Sequence, residues 1–295
     1  MRSVMYKSKT PLILFLTPAL LFLCMYLYYP FVVNIVSSFS SISGLGTSAT
    51  GVNNPWYSNY IKLFSDSIMR TALSNTLLMT VFTIVFQVGI ALILALLVDN
   101  ISKGVQFFRT VYFFPIVISA TALGLLFNLI FLYDGGMLNQ LLMKFGMKEL
   151  IDWKDQSHYL FTMSFPVMWQ YVGFYFVIIV TGLNNISADI YEASEIDGAN
   201  MVQRIRYISL PLLHNVLGTC LVLSITGSLR VFDLPWVMMG AGMPMDKSWL
   251  LGTYMYNQTF IMGDVDYGST ISIIIVVLGV VISQTVNKLY KEKEY

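Results

Sequence analysis

The chain has 295 residues, of which 56% are hydrophobic, 15% aromatic and only 11% charged, and its formal net charge is +1. Its mean hydropathy of +0.69 lies well above the usual range of soluble globular proteins. The composition therefore argues against a soluble protein. The nearly balanced charge gives no basic surface with which to bind nucleic acid.

Long apolar stretches without charged residues recur along the chain, and each can supply one helical crossing of a bilayer, which takes about 20 apolar residues. Continuous apolarity favours helices over a β-barrel, because a helix satisfies its own backbone hydrogen bonds in lipid. The sequence predicts an all-α integral membrane protein with one transmembrane domain, residues 1–295. Its six predicted transmembrane helices cover about residues 12–33, 75–98, 110–132, 160–183, 212–234 and 269–288.

The first span follows a short basic segment, MRSVMYKSKT, and this arrangement resembles a secretory signal peptide. The apolar run continues for about twenty residues without a clear cleavage site, and five more spans follow it. We therefore expect an uncleaved first helix.

The orientation of the spans follows from the distribution of basic residues. With six spans, both termini and the second and fourth loops share one side of the membrane. The positive-inside rule assigns the more basic side to the cytoplasm. That side carries Arg2, Lys7, Lys9, Lys103, Arg109, Arg204, Arg206, Lys288, Lys291 and Lys293, whereas the other carries Lys62, Arg70, Lys144, Lys148, Lys154 and Lys247 in longer loops. Both termini and the loop 186–211 are thus predicted to be cytoplasmic.

A polar block, EASEIDGANMVQRIRYISLPLL at residues 192–213, interrupts the apolar chain within this cytoplasmic loop. Ser187 is a good helix N-cap, Gly198 is a good helix stop, and Pro211 suits the first turn of the next span. The block therefore reads as two short helices with a glycine joint. It is either a docking site for a cytoplasmic protein, a helix lying on the membrane surface, or a cluster of catalytic carboxylates. Helices that lie on the membrane surface usually favour Lys and Arg. In this block the acids outnumber the arginines, which favours docking to a protein over lying on the membrane. The acids are Asp189, Glu192, Glu195 and Asp197.

The spacing within the block resembles the E-A-A-x(3)-G-x(9)-I-x-L-P signature of binding-protein-dependent ABC importer permeases. Here the signature reads Glu192-Ala193-Ser194, then Gly198, then Ile208-Ser209-Leu210-Pro211, with Ser194 in place of the second alanine. Other segments resemble the carbohydrate-uptake branch related to maltose, multiple-sugar and glycerol-phosphate permeases: NYIKLFSDSIMRTALSNT, FFRTVYFFPIVIS and GSLRVFDLPWVMMGAGMP. The usual Thr-Gly-Gly-Gly-Pro turn of that branch is looser here, at Met239-Gly240-Ala241-Gly242 with Pro244.

This resemblance implies the fold of a type I ABC importer permease, in which residues 186–211 form a coupling loop that sits in a cleft of an ATPase. Its implied partners are a second homologous permease, with which it forms a heterodimer, two ATPase subunits and an extracytoplasmic solute-binding protein. It also implies a bacterial inner (cytoplasmic) membrane and uptake of a sugar or oligosaccharide, with a glycerol-phosphate-type polyol as the alternative substrate. By matching position, the coupling residues are Glu192, Ala193, Ser194, Asp197, Gly198, Ile208, Leu210 and Pro211.

Enzymatic chemistry has little support in the sequence. It lacks the G-x-x-x-x-G-K-[ST] phosphate-binding loop, so ATP and Mg are expected to bind a partner ATPase rather than this chain. His158 and His214 have no partner at metal-ligand spacing, and no G-x-S-x-G motif occurs. Cys24 and Cys220 lie in apolar spans and are expected to be small buried side chains rather than a disulfide or metal ligands.

A few polar residues within the spans are candidates for function. Arg230 and Asp233 are three positions apart near the outer end of the fifth span, where they can form an ion pair on one helix face. A secondary transporter would need such charges deep in several spans. Sugars bind to amides, hydroxyls and aromatic faces, so Asn128, Trp169 and Tyr171 are predicted substrate-binding residues. Their alternative roles are contacts between helices and aromatic anchoring at the membrane interface.

Overall fold

A computed structural model of the chain describes residues 10–42, 44–99, 104–240, 242–244 and 246–291. The described residues are mainly helical, which confirms the all-α class. One short hairpin pairs β1 (Ser40–Ser41) antiparallel with β2 (Gly51–Val52). The helices are α1 (Thr10–Leu23), α2 (Tyr29–Ser38), α3 (Ser58–Ser65), α4 (Ser67–Phe82), α5 (Gly89–Asp99), α6 (Val105–Val117), α7 (Ala120–Ile130), α8 (Met137–Lys144), α9 (Tyr159–Asn184), α10 (Ala188–Ile196), α11 (Met201–Arg204), α12 (Leu210–Leu212), α13 (His214–Leu229), α14 (Asp233–Met239), α15 (Leu251–Tyr256) and α16 (Val265–Lys291).

Several of these helices join into longer stretches through π-helical segments, at Cys24–Tyr28, Thr83–Val88, Ile205–Ser209 and Asn257–Ile261. Four continuous stretches are long and apolar enough to cross a membrane: Thr10–Ser38, Ser67–Asp99, Tyr159–Asn184 and Val265–Tyr290. Two bent pairs bring the number to as many as six, namely Val105–Val117 with Ala120–Ile130 and Met201–Leu212 with His214–Leu229.

The third and fifth predicted spans differ from the structure. Instead of one helix over 110–132, α6 and α7 meet at an angle of 91°. The carbonyl of Ile118, freed by this break, accepts a hydrogen bond from Gln170 Nε2 at 3.2 Å. A break inside an apolar segment is tolerated where neighbouring side chains satisfy the backbone in this way. The fifth span, predicted over 212–234, bends by 66° before α13 and its helix ends at Leu229.

The described residues fall into two compact units, within Met1–Ser65 plus Met255–Ile274 and within Asp66–Tyr254 plus Ile275–Tyr295. In the first unit, the carbonyl of Ser38 accepts hydrogen bonds from Asn59 Nδ2 at 3.2 Å and Thr270 Oγ1 at 3.3 Å. Lys62 Nζ pairs with Asp264 Oδ2 at 2.6 Å. Cys24, predicted to be buried, is exposed at the start of the π-helical segment Cys24–Tyr28, whereas Cys220 is buried as predicted.

The larger unit has two apolar core clusters. One joins α5, α9 and α13 through fully buried side chains such as Ala95, Phe176 and Cys220. The other joins α4, α7 and α9 through Met79, Leu123 and Met163. The orientation prediction counted Arg2, Lys7, Lys9, Lys103 and Lys293, which lie outside the described residues, and the side of the membrane on which each loop lies stays a prediction.

Threonine hydroxyls within the apolar helices bond mainly to their own helix. Thr80 Oγ1 donates to the carbonyl of Thr76, and Thr181 Oγ1 to that of Val177, each at 2.7 Å. The same pattern recurs at Thr17, Thr110, Thr219, Thr226 and Thr285. This bond to the carbonyl four residues earlier satisfies the hydroxyl where no water is available.

Asn139 in α8 is the centre of the loop between α7 and α9. Its side chain is buried and donates from Nδ2 to the carbonyls of Tyr133 and Ile151, both at 2.9 Å. Its Oδ1 accepts from the indole N–H of Trp153 at 3.0 Å. One amide thus holds both ends of the loop.

Replacing Asn139 with leucine is expected to loosen this loop, because a side chain of similar size would leave buried polar groups unpaired at about 1–3 kcal/mol each. Amide hydrogen exchange in nanodiscs should speed up within residues 132–153 and stay unchanged in α9. The matched control is Gln140→Leu, whose exposed amide makes a single bond, to the carbonyl of Gly135. Equal exchange in the two variants would contradict the role given to Asn139.

Candidate functional site

The coupling loop, residues 186–211, begins with α10. Ser187 occupies the N-cap position with an extended backbone, and Asp189 lies in the first turn. The helix ends at Ile196, and Gly198, two residues later, has a φ of 72° in the left-handed region. The N–H of Gly198 donates to the carbonyl of Glu195 at 3.0 Å and that of Ala199 to Ser194 at 2.9 Å. These two bonds form a Schellman motif, so glycine is needed here for the reason that the sequence indicates.

The second half of the loop begins with a capping box. Asn200 Oδ1 accepts from the N–H of Gln203 at 2.9 Å, and Gln203 Oε1 accepts from the N–H of Asn200 at 2.8 Å. This reciprocal arrangement satisfies two free backbone donors at the start of α11. The π-helical segment Ile205–Ser209 then continues into α12, and Pro211 lies in its first turn.

Side chains tie the two halves of the loop together. Arg204 Nη1 donates to Glu195 Oε1 at 2.6 Å. The hydroxyls of Tyr191 and Ser209 lie 3.1 Å apart, and buried Ser194 donates to the carbonyl of Tyr191 at 2.7 Å. The loop is therefore braced internally.

The predicted coupling residues divide by exposure. Glu192, Ala193, Asp197, Gly198 and Pro211 are exposed, Ile208 and Leu210 are half-buried, and Ser194 is buried. Ile196 lies among the exposed acids with 87% of its surface accessible. The loop thus presents carboxylates around an apolar side chain, a surface suited to a protein partner.

A cavity of about 310 Å³ lies inside the larger unit. It touches the break between α6 and α7, at Ala120, and the non-helical residues between α13 and α14. Backbone without helical hydrogen bonds is tolerated at membrane depth where it lines a cavity, and such breaks mark binding sites in transporters. The polar lining residues are Thr83, Gln87, Gln170, Tyr171, Tyr175, Ser224, Thr226, Ser228, Arg230 and Asp233.

Hydrogen bonds fix part of this polar lining. Gln87 Nε2 donates to the carbonyl of Val167 at 2.9 Å. The hydroxyls of Thr80 and Ser228 lie 2.7 Å apart, joining α4 to α13. Gln170 is fixed by its bond to Ile118. The lining is therefore held in place before any ligand arrives, which lowers the cost of binding.

The predicted ion pair between Arg230 and Asp233 does not form within the described residues. The prediction assumed one continuous helix, but α13 ends at Leu229 and α14 begins at Asp233. The two residues therefore do not share a helix face. Both are exposed and line the cavity, which makes their charges available to a ligand.

Of the three predicted substrate residues, only Tyr171 lines this cavity. Trp169 lines a separate apolar groove of about 850 Å³. Asn128 is engaged elsewhere: Nδ2 donates to the carbonyl of Val237 at 3.0 Å and Oδ1 accepts from Lys154 Nζ at 2.6 Å. Burial lowers the pKa of Lys154 below its ordinary value, although the charge of Asp152 partly opposes this.

Other lining residues were not selected from the sequence. Gln87 and Gln170 are amide side chains near the middle of apolar segments, which is a signal that they face protein or water. Ser224 and Ser228 are spaced four apart, so they share a helix face, but serine alone is too common in membrane helices to identify a site. Among the described residues, no three His, Cys, Asp or Glu side chains lie together as metal ligands would.

Residues 87–293 match the family model described as the binding-protein-dependent transport system inner membrane component, and the chain belongs to this family. It is a multi-pass membrane protein. It is 33% identical to the probable ABC transporter permease protein YurN of Bacillus subtilis over 282 residues, covering 94% of this chain and 95% of the relative.

Two further relatives carry named substrates. The arabinooligosaccharides transport system permease protein AraP of Bacillus subtilis is 30% identical, with 96% of this chain and 89% of the relative covered. The lactose transport system permease protein LacF of Rhizobium radiobacter is also 30% identical, with 92% and 90% covered.

A solved structure shares the fold. The crystal structure of a bacterial ABC transporter that imports the acidic polysaccharide alginate aligns with a TM-score of 0.84, at 20% identity and with 97% of both chains covered. A second crystal structure, of the alginate ABC transporter in complex with a pentasaccharide-bound periplasmic protein, gives the same TM-score over 96% of this chain and 95% of that one. These alignments confirm the predicted ABC importer permease fold.

Proposed function

We propose that the chain is the permease subunit of an ATP-driven ABC importer, and that it translocates a sugar or oligosaccharide delivered by a solute-binding protein. The braced and exposed coupling loop is the observation that carries the proposal, because it supplies a docking surface for a motor protein. Relatives named for arabinooligosaccharides and lactose support the substrate class. The permease is not itself an enzyme.

The partners follow from this role. Two ATPase subunits would bind ATP and Mg and receive the coupling loop, and a second homologous permease would complete the membrane domain as a heterodimer. The alginate transporter crystallised with a periplasmic protein supports an extracytoplasmic solute-binding partner. The family description supports the bacterial inner membrane, and we place both termini and the coupling loop in the cytoplasm.

The cavity at the α6–α7 break and the α13–α14 junction is the proposed translocation site. Tyr171 and Tyr175 offer aromatic faces to the C–H surface of a sugar, while the amides and hydroxyls around them bond to its hydroxyls. A volume of about 310 Å³ falls at the small end of ligand pockets, so one or two sugar rings would occupy it at a time. Movement of the coupling loop by the ATPases would open the cavity to alternate sides of the membrane. Such coupling requires that ATP-bound partners interact differently with the two states.

One observation favours the alternative substrate, a glycerol-phosphate-type polyol. Arg230 lines the cavity and has no ion pair with Asp233 within the described chain, so its guanidinium could bind a phosphate group bidentately. Asp233 lines the same cavity and would repel that phosphate, which leaves a neutral sugar as the better fit.

The complex can be tested by purification through a tag on this chain from its natural host. We expect an ATPase with a phosphate-binding loop and a second permease to copurify. In proteoliposomes with the solute-binding protein, a panel of neutral oligosaccharides and glycerol phosphates should show ATP-dependent uptake of one class. Uptake driven by an ion gradient without ATP would overturn the proposal.

The cavity assignment predicts a difference between two aromatic residues on the same helix. Tyr171→Ala should lower uptake by about tenfold, since a lost hydrogen bond or aromatic contact is worth roughly 1.4 kcal/mol. Trp169→Ala, the control outside the cavity, should stay within about twofold of the parent. A larger loss with Trp169→Ala would place the substrate in the apolar groove instead.

A further inference from the structure

Arg204 pairs with one carboxylate and shares a small cavity with a second, which belongs to a different part of the larger unit. Its Nη1 bonds to Glu195 Oε1 of α10 at 2.6 Å, and its side chain is 24% exposed while that of Glu195 is 65% exposed. Arg204 and Asp99 also line one cavity of about 180 Å³, with no ion pair between them in the part of the chain that the structure describes. Asp99 is the last residue of α5.

The guanidinium group suits this position near two acids. It carries five N–H donors in a planar fork and remains charged at any physiological pH, so it can engage two carboxylates at once. A lysine would offer a single point charge. Tyr191 and Ser209 line the same cavity and bond to each other at 3.1 Å, so Arg204 is held at the place where the two halves of the coupling loop meet.

Asp99 connects this point to the proposed translocation cavity. Residues Ser67–Asp99 form one continuous helical stretch, and Thr83 and Gln87 of that stretch line the 310 Å³ cavity. The 12 residues from Gln87 to Asp99 span about 18 Å at 1.5 Å per residue. Ala91 and Ala95 of the same stretch are fully buried in the core cluster with α9, so the helix end cannot move without the core.

We propose that Arg204 is the positioning residue that connects the coupling loop to the second membrane span. A partner that displaces α10 would move Glu195, and with it Arg204. This would change the attraction of Arg204 across the shared cavity for Asp99, at the end of the helix that reaches the translocation cavity. This inference rests on the proposed function, in which the partner is an ATPase. It concerns only how a movement of the coupling loop is transmitted to the membrane helices. Binding of the ATPase itself is assigned to the exposed residues of the loop.

The test measures a conformational response that needs no transported substrate. Cys24 and Cys220 are replaced by alanine and Thr226, which is half-buried and lines the cavity, by cysteine. The complex with its ATPases is purified from the host, and maleimide labelling is compared with and without MgATP plus vanadate. In the parent, the labelling rate should change.

In Arg204→Gln the ATPases should still copurify, but the change in labelling should be about fivefold smaller, the lower end of typical coupling strengths. The matched control is Arg206→Gln, because Arg206 is exposed and contacts the ring of Tyr207 at 5.7 Å rather than a carboxylate. If no ATPase copurifies with the parent protein, the proposed function is refuted. A full response in Arg204→Gln, or loss of the ATPases from it, would refute only the role of Arg204 as a connection.

Exchanging the charges distinguishes the role of Glu195 from that of Asp99. In the double variant E195R/R204E the loop keeps an internal ion pair, but two acids face each other at the end of α5, and the response should stay low. The triple variant D99K/E195R/R204E restores attraction on both sides and should recover the response while the ATPases remain bound. Full recovery in the double variant, or none in the triple variant, would rule out the link through Asp99.

Discussion

Gly173→Ala is expected to prevent correct packing of α6 against α9 and to give the largest loss of stability of any change considered. A Cβ atom at residue 173 would lie 1.7 Å from the carbonyl oxygen of Tyr112 and 2.8 Å from the backbone nitrogen of Phe113. These are main-chain atoms, so no side-chain rotation relieves the clash. Tyr112 also packs edge-to-face on Phe176 with ring centroids 5.2 Å apart, so the helices must separate and lose this contact.

Overpacking of this kind costs up to about 3 kcal/mol, which is a large fraction of the stability of a typical domain. We expect a lower apparent melting temperature in detergent and a smaller yield of monodisperse protein. The matched control is Gly89→Ala, a helical glycine with no atom within 4 Å of the added Cβ. That variant should be at least as stable as the parent, because alanine favours helices by about 1 kcal/mol over glycine. Equal melting of the two variants would contradict the close approach of α6 and α9.

The second large effect is expected from Gly198→Asp, which should separate this chain from the proposed ATPase partner without unfolding it. A Cβ at Gly198 meets no atom within 4 Å in this chain, so a new side chain points only toward a partner. Aspartate adopts the left-handed conformation at a cost of roughly 1–2 kcal/mol. Copurification of the ATPase should fall by about tenfold or more, equivalent to 1.4 kcal/mol of binding.

The control for Gly198→Asp is Gly135→Asp. Gly135 has a φ of 73°, against 72° at Gly198, and also has open space around its added Cβ. The two variants therefore carry the same backbone strain and the same charge in different loops. Gly135→Asp should keep the ATPase bound. If Gly198→Asp retains it equally well, the docking role of the coupling loop is wrong.

Much of the fold was predictable because apolar residues are bunched into runs of membrane-spanning length. The stop at Gly198 was predictable because it depends on local backbone geometry, which glycine reports directly. Ser187 holds the predicted N-cap position, but its side chain makes no capping hydrogen bond in the described chain. The break between α6 and α7 was not predictable from the sequence. Its backbone is satisfied by Gln170, more than fifty positions away in the chain, and an apolar run gives no sign of such a distant partner.

The cavity was harder to predict than the coupling loop. Trp169 and Tyr171 are two positions apart, which turns their side chains by about 200° around a helix, so they cannot face the same space. The sequence names both as aromatic residues in a span but does not say which face of α9 is inside. Asn128 looked available, yet Lys154 and the backbone of Val237 occupy its amide.

The threonine hydroxyls that bond within their own helix have a consequence for transport. A polar group in lipid must keep a partner through every step of a conformational cycle, since losing one costs several kcal/mol. The hydroxyls of Thr181 and Thr219 bond to carbonyls of their own helix and so keep that partner as the helix moves. Neighbouring spans can therefore slide past each other without breaking these bonds. Broken hydrogen bonds of these hydroxyls therefore add little to the free-energy barrier of the transport cycle. The hydroxyl of Thr80 bonds within its own helix and also lies 2.7 Å from that of Ser228 on α13, so these two spans are expected to move as one body.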